Sequence, residues 1–80
     1  MLLTKQARKQ LSQLDPTARK RIWLALKLLE QTPKPPKAIQ LVGQDGLRVR
    51  VGDYRIVYLV KDQSLIVLVL KVGHRSSVYN

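Results

Sequence analysis

Six side chains in this chain have the types needed to hold a phosphodiester and move protons around it: Arg48, Arg50, Arg55, His74, Arg75 and Tyr79. A guanidinium is a planar fork that matches phosphate oxygens. An imidazole exchanges protons near neutral pH. A phenol serves as a base only when its pKa is lowered, as nearby arginines would do. Metal-independent RNA cleavage has three requirements that such groups can meet. The 2′-OH loses a proton, the leaving 5′-oxygen gains one, and charge building on the phosphorus oxygens is stabilised. Lys71 is a further cation, expected to bind phosphate together with Arg48 and Arg50. Taken singly, each residue has a plainer reading: outward arginines solvate a strand, a His after a Gly caps a turn, and a Tyr near a terminus frays or packs as a plug. Only convergence on one surface would favour chemistry.

The element that must produce that convergence is Leu47–Val60. Leu47-Arg48-Val49-Arg50-Val51 alternates apolar and basic residues with period two, as a half-buried strand does. Gly52-Asp53, with Gly first, suits a two-residue type II′ loop, and Tyr54–Val60 is the return strand. This loop sets Val51 opposite Tyr54, Arg50 opposite Arg55, Val49 opposite Ile56 and Leu47 opposite Tyr58. One face then carries Leu47, Val49, Val51, Tyr54, Ile56 and Tyr58. The other carries Arg48, Arg50 and Arg55, then Val57 and Leu59. Like charges directly opposite each other destabilise a sheet; the arrangement makes sense when an anion lies between them. After a polar turn at Lys61–Ser64, Leu65–Val72 is apolar on both faces and reads as a central strand. An even loop there pairs Val60 with Leu65 and Arg55 with Leu70, and puts Leu70, Val72 and His74 on the arginine face. Away from the arginines that face would be an apolar patch of Val57, Leu59, Ile66, Leu68 and Leu70, a docking surface for a partner unless the 38–46 loop or the N-terminal residues cover it.

Two helices precede the sheet. In residues 4–14, Leu3, Ala7, Leu11 and Leu14 follow a 3.6-residue period, with Lys5, Arg8 and Lys9 outside. Asp15-Pro16 supplies an N-cap and a first-turn proline for a second helix to about Gln31. Its stripe is Ala18, Ile22, Ala25, Leu26 and Leu29, widened by Trp23 and Leu28, with Arg19, Lys20, Arg21 and Lys27 mostly off it. Thr32–Lys37 contains three prolines; it is a stiff connector, neither helix nor central strand. The residues thus predict one α+β domain over 1–80, an antiparallel helical hairpin packed on one face of a small antiparallel sheet, with the arginine face open.

Composition narrows the function classes. Fifteen Lys and Arg against five acids give a net charge of +10, which favours a polyanionic partner: nucleic acid, the ribosome or an acidic protein. Without cysteine there is no disulfide, thiolate site or cysteine nucleophile. One His and no acidic cluster argue against a protein-built metal site. Met1-Leu2-Leu3 is too short for a signal peptide and no apolar run approaches a membrane span, so a cytoplasmic protein is expected. The residues alone lead to a basic single-domain protein that binds a phosphate backbone and could cleave RNA.

The segment G-D-Y-R-I-V-Y (Gly52–Tyr58), with V-G-H-R at Val72–Arg75 and Tyr79 closing G-H-R-S-S-V-Y, resembles the RelE/ParE toxin superfamily and within it the RelE-type toxins. The resemblance spans about Thr4 to Tyr79. It implies the toxin of a toxin–antitoxin pair: a ribosome-dependent endonuclease that cuts mRNA in the 30S A site by 2′-OH attack and is neutralised by a cognate acidic antitoxin. By position it implies that Arg55 stabilises the transition-state phosphate, Arg75 is a phosphate ligand or proton donor, Tyr79 orients or deprotonates the 2′-OH, and His74 is a general acid or base. Arg48 and Arg50 stand where the family places basic residues. No cofactor, metal or membrane is implied. The family opens on a full strand, whereas here Met1-Leu2-Leu3 leaves that first strand truncated or absent. Two other readings share the fold: a ParE-like inhibitor of DNA gyrase that acts by binding, and an inactive nucleic-acid- or ribosome-binding relative.

Overall fold

The computed structural model describes residues 1–72. Each helix begins where the sequence offers a capping oxygen. In α1 (Lys5–Ser12), Thr4 Oγ1 accepts from the Ala7 amide at 3.1 Å. In α2 (Pro16–Gln31), Asp15 Oδ2 accepts from the Ala18 amide at 3.5 Å, and Pro16 fills the first turn, where its missing N–H costs nothing. Ala7 and Leu11 of α1 and Ile22, Leu26 and Leu29 of α2 are buried. Trp23 and Leu28 do not widen that stripe; they are 38% and 67% exposed. Each directly adjoins a stripe residue in sequence and is therefore turned about 100° away from it. Arg19, off the stripe as expected, is half-buried. Its guanidinium donates to the carbonyls of Leu11, Ser12 and Leu14 at 3.4, 3.3 and 2.8 Å, capping the end of α1 and closing the helical hairpin.

The helices cover one face of a five-stranded sheet ordered β1-β5-β4-β3-β2, with β1 (Leu2–Leu3), β2 (Ile39–Gln40), β3 (Leu47–Val51), β4 (Tyr54–Lys61) and β5 (Ser64–Val72). The expected truncated first strand is present, two residues long. It pairs parallel to β5, so the sheet is mixed rather than wholly antiparallel. No helix among the described residues is long and apolar enough to cross a membrane.

The central hairpin has the expected register, Val51 with Tyr54, Arg50 with Arg55, Val49 with Ile56 and Leu47 with Tyr58. Gly52 has φ +60°, the left-handed geometry that a type II′ loop demands at its first position. The β4–β5 turn has positive φ at both Asp62 (51°) and Gln63 (65°), as a type I′ turn does, and pairs Lys61 with Ser64 and Val60 with Leu65. The register then departs from even counting. Tyr58 pairs with Val67 but Val57 pairs with Val69, so Leu68 is the extra residue of a β-bulge. Arg55 therefore faces Lys71, not Leu70, and Leu70 turns into the core at 5% exposure. The expectation that Leu70 shares the arginine face rested on unbroken alternation, which one inserted residue reverses.

The connector is anchored from the core. The hydroxyl of Tyr58, a fully buried residue, donates to the Pro33 carbonyl at 2.6 Å. Burial pushes this phenol above its ordinary pKa. On the open face the 41–46 loop folds back, with the Leu41 amide donating to the Gly46 carbonyl at 3.0 Å. Gly46 has φ +132°, and a Cβ there would lie 2.9 Å from Leu41 Cδ1 and 3.5 Å from Leu59 Cδ2. Leu41 thus reaches the Leu59 end of the apolar patch and covers part of it.

Candidate nucleic-acid interface

Partner residues in a sheet ladder point to the same face. The pairs Arg50–Arg55 and Arg55–Lys71 therefore form one row of three cations across β3, β4 and β5. Adjacent strands lie about 4.8 Å apart, so these charges are close neighbours. Arg48, two residues before Arg50, stands on the same face opposite Val57, which in turn pairs with Val69. Arg48, Arg50 and Arg55 line a shallow depression of about 180 Å³, with Lys37, Ile39 and Val49 completing its wall.

Among the described residues the row has no carboxylate within ion-pairing distance. Among the described residues the only ion pair joins the Met1 amino group to Glu30 Oε2 at 3.1 Å. Asp15 caps α2, and Asp45, Asp53 and Asp62 sit outside the helices and strands. The guanidinium of Arg50 is steadied by the chain itself, its Nε donating to the Gly52 carbonyl at 3.2 Å. The guanidinium of Arg21 lies over the same turn, with Nη2 3.0 Å from where a Gly52 Cβ would be. A larger hollow of about 480 Å³ opens elsewhere on the sheet. Its lining includes Lys34, Lys61 and Asp45, and none of the cations of the row.

Of the residues singled out in the sequence, Arg48, Arg50, Arg55 and Lys71 are brought together. His74, Arg75 and Tyr79 lie outside the described residues; β5 ends at Val72, opposite Tyr54 and one position beyond Lys71. Lys71 meets Arg55 only because of the bulge. Two cations near the row escaped sequence reasoning. Lys37 had no signal in the sequence: it lies in the turn before β2, and the pairing of Ile39 with Arg48 that brings it near Arg50 is visible only in the structure. Its Nζ donates to the Arg50 carbonyl at 3.4 Å. Arg21 had none either, since its approach depends on how α2 lies across the hairpin. The arrangement can hold an anion with delocalised charge, such as a phosphodiester, against several guanidinium and ammonium groups at once.

A family model described as the ParE toxin of type II toxin–antitoxin systems, parDE, matches residues 1–79. Among solved structures, the chain is similar to the archaeal RelE of a RelE–RelB complex from Pyrococcus horikoshii OT3, at 31% identity and TM-score 0.76 over 91% of this chain and 92% of that one. It is similar to the RelE of a RelB–RelE antitoxin–toxin complex from Methanococcus jannaschii, at 28% identity and TM-score 0.74 over 99% and 95%. The isolated E. coli RelE toxin matches at 25% identity and TM-score 0.81 over 98% of this chain and 87% of that one. No curated protein matches the chain.

Proposed function

The chain belongs to the ParE toxin family of type II toxin–antitoxin systems, within the RelE/ParE superfamily, and on that footing we propose that it is a RelE-type toxin that cuts mRNA on the ribosome. The observation that carries this reading is the uncompensated row Arg50–Arg55–Lys71 with Arg48 beside it. A toxin that acted only by protein contact would not need like charges set opposite one another at a cost to its sheet.

In the proposed reaction the row and Arg48 hold the scissile phosphodiester and its neighbour, and Arg55 offsets the charge that grows on the non-bridging oxygens. The 2′-oxygen attacks phosphorus as the bond to the 5′-oxygen breaks. The proton leaving the 2′-OH goes to a base and another is delivered to the 5′-oxygen, leaving a 2′,3′-cyclic phosphate and a 5′-OH. Tyr79 and His74 are proposed for these transfers and Arg75 as a further phosphate ligand or proton donor. The partner before activation would be a cognate antitoxin with an acidic amphipathic segment. It would cover the remaining half-buried apolar part of the open face, Ile66 and Val69, and reach the cations. Two of the solved relatives are complexes with RelB antitoxins, which supports a partner of this kind.

The ParE family description leaves a second target in play. Induced expression in a bacterium distinguishes them. The expected result is growth arrest with translated mRNAs cut within codons, mapped by primer extension, and relief of both effects by Arg55→Ala. Growth arrest with intact mRNA and double-stranded DNA breaks would overturn the ribonuclease reading in favour of gyrase poisoning.

A further inference from the structure

The stiff connector between helices and sheet carries a cation that the motif residues do not include. We propose that Lys37 is the fourth member of the row, a phosphate-binding residue that takes the next phosphate of an RNA strand lying across β3, β4 and β5. The inference rests on the nucleic-acid reading above and adds to it how the substrate lies. Lys37 lies in the turn just before β2, where its Nζ donates to the carbonyl of Arg50, which faces Arg55, which faces Lys71. The three ladder positions Arg50, Arg55 and Lys71 span about 10 Å at strand spacing, and Lys37 adds a fourth cation at their Arg50 end, more than one phosphate can occupy. Lys37 also lines the same depression as Arg48, Arg50 and Arg55.

The backbone beneath Lys37 is fixed before any ligand arrives. Pro35 and Pro36 restrict φ immediately upstream. The Ala38 amide donates to the Pro35 carbonyl at 2.9 Å, closing a turn around Lys37. Tyr58 holds the far side of the connector through Pro33. The ammonium itself is exposed, has no carboxylate partner among the described residues, and makes one long bond of 3.4 Å to a backbone carbonyl. That bond leaves two donors for a phosphate. Pre-ordering the backbone reduces the entropy lost when the ligand binds.

Binding of the purified chain to a fluorescent single-stranded oligoribonucleotide, followed by anisotropy across a sodium chloride series, tests this. Each phosphate contact contributes about 0.7 to the slope of log K against log salt for single strands, or about fivefold in affinity at 0.1 M salt. Lys37→Gln should lower the slope by that amount with an unchanged melting temperature, Lys37→Arg should keep the wild-type slope, and Lys27→Gln on the exposed side of α2 should leave it unaltered. A wild-type slope that persists in Lys37→Gln overturns the role of Lys37 alone. Absence of salt-dependent binding by the wild-type chain overturns the nucleic-acid reading and this inference together. Weakened binding in Lys37→Gln with a lowered melting temperature and an unchanged slope would mark Lys37 as structural, and also overturns it.

Discussion

At the level of single residues the site depends on a buried phenol as much as on its arginines. Among the described residues Tyr58 is the largest fully buried side chain, and its hydroxyl donates to the Pro33 carbonyl at 2.6 Å. It joins the sheet to the connector that positions Lys37. Removing the hydroxyl as Tyr58→Phe should cost about 1 kcal/mol, the net worth of such a bond. The raised phenol pKa also sets a pH dependence. A pKa higher in the folded than in the unfolded chain means that the folded state binds more protons above the unfolded value near 10. The stabilisation is therefore complete below about pH 10 and is lost as pH rises through the folded pKa. Chemical denaturation of wild-type and Tyr58→Phe proteins from neutral pH to above pH 10 should show the gap between them closing as pH rises. A gap that stays constant would mean that Tyr58 does not titrate differently in the two states.

At the level of elements, the start of α2, the hairpin and its register were legible because each is local. Asp15-Pro16 marks a helix start, and Gly52-Asp53 fixes which residues of β3 and β4 face each other. The β4–β5 register was legible only as far as Tyr58–Val67. The sequence Leu65–Leu70 is apolar throughout, so it contains no alternation from which a bulge could be read. The reason for the bulge becomes visible in three dimensions: it turns Leu70 into the core and Lys71 out beside Arg55. The outer edge of β5 at the same place is finished by side chains instead of a strand. Thr4 Oγ1 donates to the Leu68 carbonyl at 2.5 Å, and Gln10 Oε1 accepts from the Leu70 amide at 2.8 Å. These contacts leave the edge fewer free groups for pairing with another chain. Gln10→Ala should remove the acceptor and leave a part-buried amide unpaired, at about 1–3 kcal/mol. Native-state hydrogen exchange should show the Leu70 amide losing protection more than the amides of β3. Equal loss across the sheet would mean that Gln10 contributes to global stability and not to this edge.

At the level of the whole molecule the charges oppose the fold and favour the ligand, and salt separates the two effects. A net charge of +10 on 80 residues, with a single ion pair among those described, makes the compact state self-repelling. The Arg50–Arg55 opposition concentrates that repulsion in the sheet. Raising salt shortens the screening length from about 30 Å at 0.01 M to about 10 Å at 0.1 M. The melting temperature of the free protein should therefore rise over that range, and Arg50→Thr should reduce the rise. RNA should act in the opposite sense. A ligand at about 100 times its Kd adds about 2.7 kcal/mol of stability, but its Kd weakens with salt for every phosphate contact the row makes. The RNA-induced shift in melting temperature should therefore shrink as the melting temperature of the free protein climbs. Thermal melts with and without single-stranded RNA over one salt series measure both trends. A free protein that loses stability as salt rises would show that the cation row is not under electrostatic strain, and would remove the argument that its geometry is kept for an anion.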